Sequence, residues 1–380
     1  MIVRTWVSTM TTLVAVGAVA LLLVVLTLAQ ARPTPVAAHP SPTPSPSPAP
    51  TAKPLPVPLE PAAQVVEIDA VDPSTGFALL CTHPGGGQCR YWVTVTSDGG
   101  NTWSKPVKVG PQVTTGESGH HIHFFDAEDG FVYGNQEAYV THDGGKTWQN
   151  TGLKFLEVVA VVGRTPWAWV VTYPCAKGTV PPCAYVASLT SDGGRTWARH
   201  VDLGSLSPRF AVAFGDGGLA LSGYGGGDVF IIPPGAAQVR YVAGACPGET
   251  SEVYMASPDG TEVWEACSAK FPDDTPQTLY VSENGGVTWQ KRLLPDGLGP
   301  QAFLTSTAPG SGVLVSSSSP VEMTTDGGRS WQPLSTEPGF DWIDLTSATG
   351  GWAAKPDGSI WVSADGGRTW TEVAVPQLQA

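Results

Sequence analysis

The stretch TSDGGNTW at residues 96–103 decides the fold, because close copies of it recur along the 380-residue chain. The shared form is Ser/Thr-x-Asp-Gly-Gly-x-Thr/Ser-Trp, with Asn in place of Asp in one copy. Recurrence of an eight-residue phrase indicates repeated units that share one local structure. The other copies are THDGGKTW at 141–148, TSDGGRTW at 190–197, SENGGVTW at 282–289, TTDGGRSW at 324–331 and SADGGRTW at 363–370.

Each residue type in the phrase suits a tight hairpin turn. The short Asp carboxylate can accept amide hydrogens of its own turn. The two glycines tolerate the positive φ that such turns require. The indole that follows can bury against the neighbouring repeat. The predicted roles are therefore structural: turns at Asp98, Asp143, Asp192, Asn284, Asp326 and Asp365, and core packing at Trp103, Trp148, Trp197, Trp289, Trp331 and Trp370.

The spacing of the phrases counts the repeats. Successive copies lie 45, 49, 92, 42 and 39 residues apart, so the 92-residue interval holds one more unit that lacks the phrase. Each unit contains four short apolar runs, with the phrase between the third and the fourth. This is the signature of a propeller blade. We therefore predict an all-β domain over 63–380, a seven-bladed β-propeller of four-stranded antiparallel blades at about 64–110, 119–152, 155–204, 208–244, 250–296, 300–336 and 340–376.

The N-terminus carries an export signal. Residues 1–31 contain one early charge, Arg4, and an apolar run from Leu13 to Ala29. The run is long enough to cross a bilayer as a signal anchor. Ala29-Gln30-Ala31 also fits the cleavage site of a signal peptide. We expect an N-terminal hydrophobic helix that places the domain outside the cell membrane as a single-pass protein; the alternative is secretion after cleavage near Ala31.

Residues 32–62 are rich in Pro, Ser, Thr and Ala. Proline lacks an amide donor and fixes φ, so this stretch cannot form a core or a sheet. It is expected to be an extended linker of about 3.1 Å per residue. Such a stalk holds a domain away from the surface that carries it.

The cysteines repeat their placement in two units. In the first and third units, a Cys pair stands 17 and 9 residues before the Asp of the phrase. The seven-residue spacing within each pair is not that of common zinc sites. Disulfides agree with an exported domain. The predicted bridges are Cys81–Cys89, Cys175–Cys183 and, by elimination, Cys246–Cys267.

The phrases resemble the Asp-box (bacterial neuraminidase repeat) superfamily. The Asp-Gly-Gly-x-Thr-Trp form is similar to that of photosystem II stability/assembly factor-like propellers, and so are DGFVYG at 129–134 and TGGWAA at 349–354. That resemblance implies a seven-bladed, extracytoplasmic propeller that serves as an assembly scaffold on a membrane. It implies a protein partner and says nothing of which protein.

Catalytic chemistry finds little support. A sialidase needs three arginines that converge on a substrate carboxylate, together with a Tyr/Glu nucleophile pair. No Arg-Ile-Pro phrase precedes the first box, and Arg195, Arg329 and Arg368 lie inside box turns. We predict no catalytic residues and no cofactor. The formal net charge of −13 also argues against a nucleic-acid partner, because an acidic protein repels phosphates.

Two groups of polar residues are candidates for ligand contacts. His121, His123 and Asp126 lie close in sequence and could hold a divalent metal ion; the alternative is a solvated strand start. Acidic residues on predicted first strands would line the central channel, where they could act in acid–base chemistry or simply face water. These acids are Glu67, Asp69, Asp126, Glu157, Asp341 and Asp344.

The expected function is that of a membrane-tethered scaffold that binds a protein, since propellers offer a rigid face rimmed by loops. The alternative is a cell-surface glycan-binding module, in which Trp167, Trp264 or Trp342 would stack on sugars. A sialidase-like glycoside hydrolase is the third reading. Clustered channel arginines would favour the enzyme, and an exposed aromatic groove would favour glycans.

Overall fold

The computed structural model describes residues 63–375, with gaps. The N-terminal segment 1–31, the linker 32–62 and the Cys175–Cys183 bridge lie outside the described residues, so these three stay predictions. No helix in the described part is long and apolar enough to cross a membrane. The gaps are 86–87, 111–113, 116–119, 135–136, 152–156, 174–183, 205, 207, 215–216, 224–227, 247–252, 269–275, 300–301, 317, 336, 338, 341 and 348.

Seven antiparallel sheets form the domain, and each is made of strands that are consecutive in sequence. The prediction of a seven-bladed propeller is thereby confirmed. Blade 1 contains β1 (Gln64–Ala70), β2 (Gly76–Gly85), β3 (Gln88–Thr96), β4 (Val107–Lys108) and β5 (Thr114–Thr115); blade 2 contains β6 (His121–Phe124), β7 (Gly130–Gly134), β8 (Glu137–Thr141) and β9 (Gln149–Asn150); blade 3 contains β10 (Glu157–Arg164), β11 (Trp167–Tyr173), β12 (Val186–Thr190) and β13 (Arg199–Asp202).

The remaining four sheets repeat the same order. Blade 4 contains β14 (Pro208–Ala213), β15 (Leu219–Gly223), β16 (Asp228–Ile232) and β17 (Arg240–Ala243); blade 5 contains β18 (Val253–Ala256), β19 (Val263–Ser268), β20 (Pro276–Ser282) and β21 (Gln290–Arg292); blade 6 contains β22 (Phe303–Ala308), β23 (Ser311–Ser316), β24 (Ser319–Thr324) and β25 (Gln332–Ser335); blade 7 contains β26 (Trp342–Asp344), β27 (Gly351–Ala354), β28 (Ile360–Ser363) and β29 (Thr371–Val373).

Blade 1 departs from the predicted four strands, because β5 pairs with β3. The partners are Cys89 with Thr114 and Gln88 with Thr115. The reason is the unequal length of β3 and β4. The two residues of β4 pair only with Trp92 and Val93, which leaves the beginning of β3 as an open edge.

The Asp-box turns have the predicted geometry. In the first box, Oδ1 of Asp98 accepts the amide of Thr102 at 2.8 Å, and Oδ2 accepts the Thr102 hydroxyl at 2.6 Å. The hydroxyl of Thr96 accepts the Gly100 amide at 3.0 Å. Gly99 and Gly100 have φ of 68° and 83°. Equivalent aspartate contacts recur in the other boxes at Asp143, Asp192, Asp326 and Asp365.

The apolar core lies between neighbouring blades, and the second strand of each blade contributes most to it. β7 and β19 are buried along their whole length. The fully buried tryptophans are Trp169, Trp264 and Trp352. The box tryptophans pack at the edge of these cores and are half-buried, because each leaves a turn at the rim of its blade. Trp264 is therefore core, which excludes it as a glycan platform.

Ring closure uses side chains, since among the described strands none is exchanged between the first and last blades. The Trp352 indole of blade 7 donates to the Asp72 carbonyl of blade 1 at 3.2 Å and packs against Ile68 and Leu80. Gly76 is required opposite this ring, because a Cβ there would lie 2.9 Å from Trp352. The join between blades 7 and 1 is thus a packed apolar contact.

Two of the predicted bridges fall within the described residues. Cys81 and Cys89 join the second and third strands of blade 1. Cys246 and Cys267 join the connection before blade 5 to the middle of that blade. Both pairings are as predicted. The Cys246–Cys267 bridge attaches the connection before blade 5 to the fully buried strand β19. It stabilises the fold by restricting the unfolded chain.

Candidate functional site

The first strand of each blade lines the central channel. The box turns mark one end of this channel, because they lie beside the turns that follow the first strands. In blade 1, for example, the Gly99 amide of the box donates to the Ser74 carbonyl of that turn at 2.8 Å. A cavity of about 410 Å³ within the channel is lined by residues of β6, β10, β14, β18 and β22.

Arg164, the last residue of β10, links four blades at the box end of the channel. Its guanidinium contacts both carboxylate oxygens of Asp69 at 3.2 Å. It donates to the carbonyls of Ala70, at 2.7 Å, and of Phe124. The Asp344 carboxylate of blade 7 lies 3.6 Å from the same group. This charged group therefore spans blades 7, 1, 2 and 3, and we call Asp69, Arg164 and Asp344 the channel clasp.

His121 and His123 both face carboxylates of β1. Nδ1 of His121 lies 3.3 Å from the Glu67 carboxylate, and Nδ1 of His123 lies 3.6 Å from Asp69. The other ring nitrogen of His123 is 2.6 Å from the Gly163 carbonyl. The Glu67 carboxylate also accepts the Ile122 amide at 2.8 Å. These contacts join the first strands of blades 1, 2 and 3.

The electrostatics of the channel follow from burial and pairing. Burial raises the pKa of Asp344 to about 6, although Arg164 opposes the shift. Burial lowers the pKa of His123, so its imidazole is neutral at pH 7. The hydrogen bond to Glu67 raises the pKa of His121. Burial opposes ionisation of Arg164, but the charge of Asp69 overrides it and the pKa of Arg164 is raised.

The structure does not bring the three candidate metal ligands together. Asp126 follows β6 and lies in a turn, where it accepts the amides of Glu128 and Asp129 at 2.8 Å and the Thr165 hydroxyl at 2.5 Å. Its predicted place on a first strand was therefore wrong. Among the residues described, no group of three or more His, Cys, Asp or Glu could hold a metal ion. The Glu157 side chain and Asp341 lie outside the described part.

Arginines do not converge as a sialidase requires. Arg195, Arg329 and Arg368 each donate to the carbonyl of the aspartate in their own box. Among the arginine side chains that the structure describes, Arg164 alone lies in the channel network. The role of Arg164 could not be predicted from the sequence, because the residue ends an ordinary apolar strand and its partners are distant in the chain.

A second cavity, of about 580 Å³, lies between blades 7 and 1. It is lined by the beginning of β1, by Trp342 and by the turn 355–358 after β27. Because this turn joins the second and third strands, it lies at the end of the blade opposite the box. We call this cavity the seam groove. Trp167, which was predicted like Trp342 to stack on sugars, is half-buried and packs beside Gly217 of blade 4 instead.

Comparison with known proteins agrees with the architecture. A family model of the BNR/Asp-box repeat matches residues 139–150, which hold the whole second box. No curated protein sequence matches the chain. Among solved structures, YCF48 bound to D1 peptide is similar at 17% identity and a TM-score of 0.54, over 82% of this chain and 93% of that one.

Two further structures show the range of proteins with this fold. YCF48 from Cyanidioschyzon merolae has 17% identity and a TM-score of 0.53, over 82% of this chain and 96% of that one. An ancestral GH74 enzyme has 14% identity and a TM-score of 0.58, over 85% of this chain and 48% of the enzyme. At such identities the likeness concerns the fold, which hosts both binding proteins and enzymes. The chain is a seven-bladed β-propeller that carries a BNR/Asp-box repeat at residues 139–150.

Proposed function

We propose that this propeller is an extracytoplasmic, membrane-tethered scaffold that binds a protein partner and assists its assembly or stability. The observation that carries the proposal is the channel clasp. Acid–base catalysis on a substrate needs carboxyl groups that are free to reach it. Here Asp69 and Asp344 share one guanidinium, and Glu67 is bound by a backbone amide and His121. The channel residues hold blades together and leave the outer faces for recognition.

The likeness to YCF48 supports a protein as the partner. That propeller is known in complex with D1 peptide, and it matches this chain over most of both lengths. A ring of seven blades offers two wide faces whose loops vary without disturbing the core. Because a shared fold does not fix the binding residues, the likeness supports a protein partner and does not identify it.

The tether is supported by the sequence. An apolar run from Leu13 to Ala29 precedes a Pro-rich linker of about thirty residues. A linker of this composition is extended and semi-rigid. It would hold the propeller clear of the bilayer, within reach of the outer domains of membrane proteins.

Photo-cross-linking in cells tests the proposal. The full-length chain is expressed with p-benzoylphenylalanine at Lys146, on an exposed box turn, or at Pro356, on the opposite face. The membrane fraction is purified by an affinity tag and analysed by mass spectrometry. We expect one membrane protein to be captured reproducibly from one of the two positions, and to capture this chain in return when it carries the tag.

The matched control keeps residues 1–62 and deletes the propeller. Loss of the captured protein in this control assigns binding to the blades. Recovery of the same protein without the propeller, or recovery of cell-wall polysaccharide alone, would overturn the proposal. The enzyme reading is tested separately, with 4-methylumbelliferyl sialoside and glucoside as substrates, and we expect no turnover of either.

A further inference from the structure

The seam groove combines an aromatic ring with a free hydrogen-bond donor. Trp342 begins β26 and is half-buried, with part of its ring against the core around Ile68 and Ile360. Its remaining surface lines the groove. The indole N–H donates to no group in the described part of the chain. Other indoles in this protein find an acceptor, as Trp352 does at the Asp72 carbonyl, whereas the buried N–H groups of Trp103, Trp169 and Trp370 have none among the described residues.

Polar groups surround this ring on both sides of the groove. Gln64 comes from blade 1, and Lys355 and Asp357 come from the turn of blade 7. Gln64 is exposed, so its amide can both donate and accept. Asp357 is exposed, and its carboxylate accepts the Ser359 amide at 2.9 Å. An aromatic face edged by amide and carboxylate groups suits a ligand that has apolar C–H faces and many hydroxyls.

The charge of the groove selects among such ligands. Lys355 is occupied elsewhere: its ammonium contacts Glu337 at 2.7 Å and lies 4.1 Å from the centre of the Trp361 ring. Asp357, an exposed residue of the groove lining, then supplies a carboxylate to the groove. Carboxylates accept hydrogen bonds from hydroxyls and repel the carboxylates of sialic or uronic acids.

The size of the groove fits a short saccharide. Its volume of about 580 Å³ falls within the range of small-molecule sites. The exposed Val66 adds an apolar contact beside the indole. We propose that the seam groove binds a neutral oligosaccharide, with one sugar ring stacked on Trp342 and its hydroxyls held by Gln64 and Asp357. This activity is separate from protein binding and does not depend on it.

Titration with defined sugars tests the site. The full-length chain in detergent is titrated with cellohexaose, mannohexaose and maltohexaose, and with 3′-sialyllactose as the anionic comparison, by calorimetry and by tryptophan fluorescence. We expect saturable binding of at least one neutral hexasaccharide and none of sialyllactose. Trp342→Ala should weaken binding at least tenfold, roughly the loss of one central contact. Gln64→Ala should weaken it by a smaller factor.

The matched control is Tyr241→Ala. Tyr241 is 58% exposed on β17 of blade 4, far along the chain from the groove, and its removal should leave sugar affinity unchanged. Circular dichroism and thermal melts establish that the Trp342 variant is folded, and Trp342→Phe keeps the ring face and should retain part of the affinity. Binding that survives Trp342→Ala, loss of binding in Tyr241→Ala, or absence of binding by every neutral sugar would overturn the inference.

Discussion

Arg164 and Asp69 form a two-point ion pair across the channel although they are 95 residues apart in sequence. Both contacts measure 3.2 Å. The Asp69 side chain is only 10% exposed, and it also accepts the Phe124 amide at 2.5 Å. The pair thus connects blades 1 and 3 over the intervening blade 2. Arg164 also contacts Asp344 of blade 7, so the same guanidinium helps to hold the last blade to the first three.

Replacing Arg164 by Met should destabilise the propeller. The change leaves the buried Asp69 carboxylate without its counter-charge, which is costly for a buried group. Because the arginine side chain is 39% exposed, solvent recovers part of the loss, and we expect about 2 kcal/mol. The measurement is the free energy of unfolding in urea at pH 7. Arg368→Met, on an exposed box turn, is the control and should cost less than about 0.5 kcal/mol; equal losses would refute the clasp.

The Asp-box turn should tolerate Asn but not Ala. In the box at 282–289, Asn284 stands in place of Asp. Its Oδ1 still accepts the Thr288 amide at 2.8 Å, and its NH₂ group donates to the Thr288 hydroxyl at 2.9 Å, where an Asp would accept. In the second box we therefore expect Asp143→Asn to change stability by less than about 0.5 kcal/mol. Asp143→Ala loses the contacts to Thr147 and should cost about 1–2 kcal/mol. The measurement is the thermal melt of the two variants and the wild type under one condition. Equal destabilisation by Asp143→Asn and Asp143→Ala would contradict the prediction.

The box repeats made the fold predictable because they are local. A turn that depends on hydrogen bonds between residues four apart leaves the same phrase wherever it occurs. A second local device was missed. Asp72, Asp126 and Asp259 each accept the amides two and three residues on, in the turn between the first and second strands. The sequence signal was an Asp shortly before the second strand, and it recurs too irregularly to stand out without the boxes.

The channel and the seam groove could not be predicted in the same way. Their residues lie on first strands of different blades, and nothing in the spacing of Arg164 and Asp69 indicates a contact. The direction of His121 and His123 toward one side of β6 followed from strand alternation. Their partners depended on how blades 1 and 2 pack. The burial of Trp264 likewise depends on packing against blade 6. The exposure of Trp167, Trp264 and Trp342 therefore could not be ranked from the sequence.

Glu265 should make the propeller more stable in mild acid. This side chain on β19 is fully buried, and one of its oxygens accepts the Ala245 amide at 2.7 Å. Its other oxygen has no partner among the described residues. Burial raises the pKa of the Glu265 carboxyl from near 4.5 to about 7. Between these values the folded chain binds the proton that the unfolded chain has lost.

The sign follows from linkage. The contribution of Glu265 to stability is greatest below pH 4.5, falls as pH rises through this window, and is lower by roughly 3 kcal/mol above pH 7. Glu265→Gln keeps an acceptor for Ala245 and cannot ionise, so it should raise the melting temperature at pH 8 and change little at pH 4.5. The measurement is the difference between the two proteins across pH 4–8, in which the contributions of the Asp-box carboxylates cancel. Parallel curves would show that Glu265 is ionised in the fold.

The N-terminal segment should anchor the propeller in the membrane. An apolar run of 17 residues, Leu13 to Ala29, is near the minimum that spans the hydrocarbon core. If the run is retained, the full-length chain stays in the membrane after extraction with carbonate at pH 11, and its propeller is digested by protease added outside intact cells. Val16→Arg places a charge in the middle of the run and should release the chain or block its export. Ala31→Leu is the matched variant, since it removes the small residue of the cleavage motif and should leave an anchored chain unchanged. A propeller recovered from the medium with its N-terminus at Arg32, and converted to a membrane-bound form by Ala31→Leu, would establish a cleaved signal and a secreted scaffold in its place.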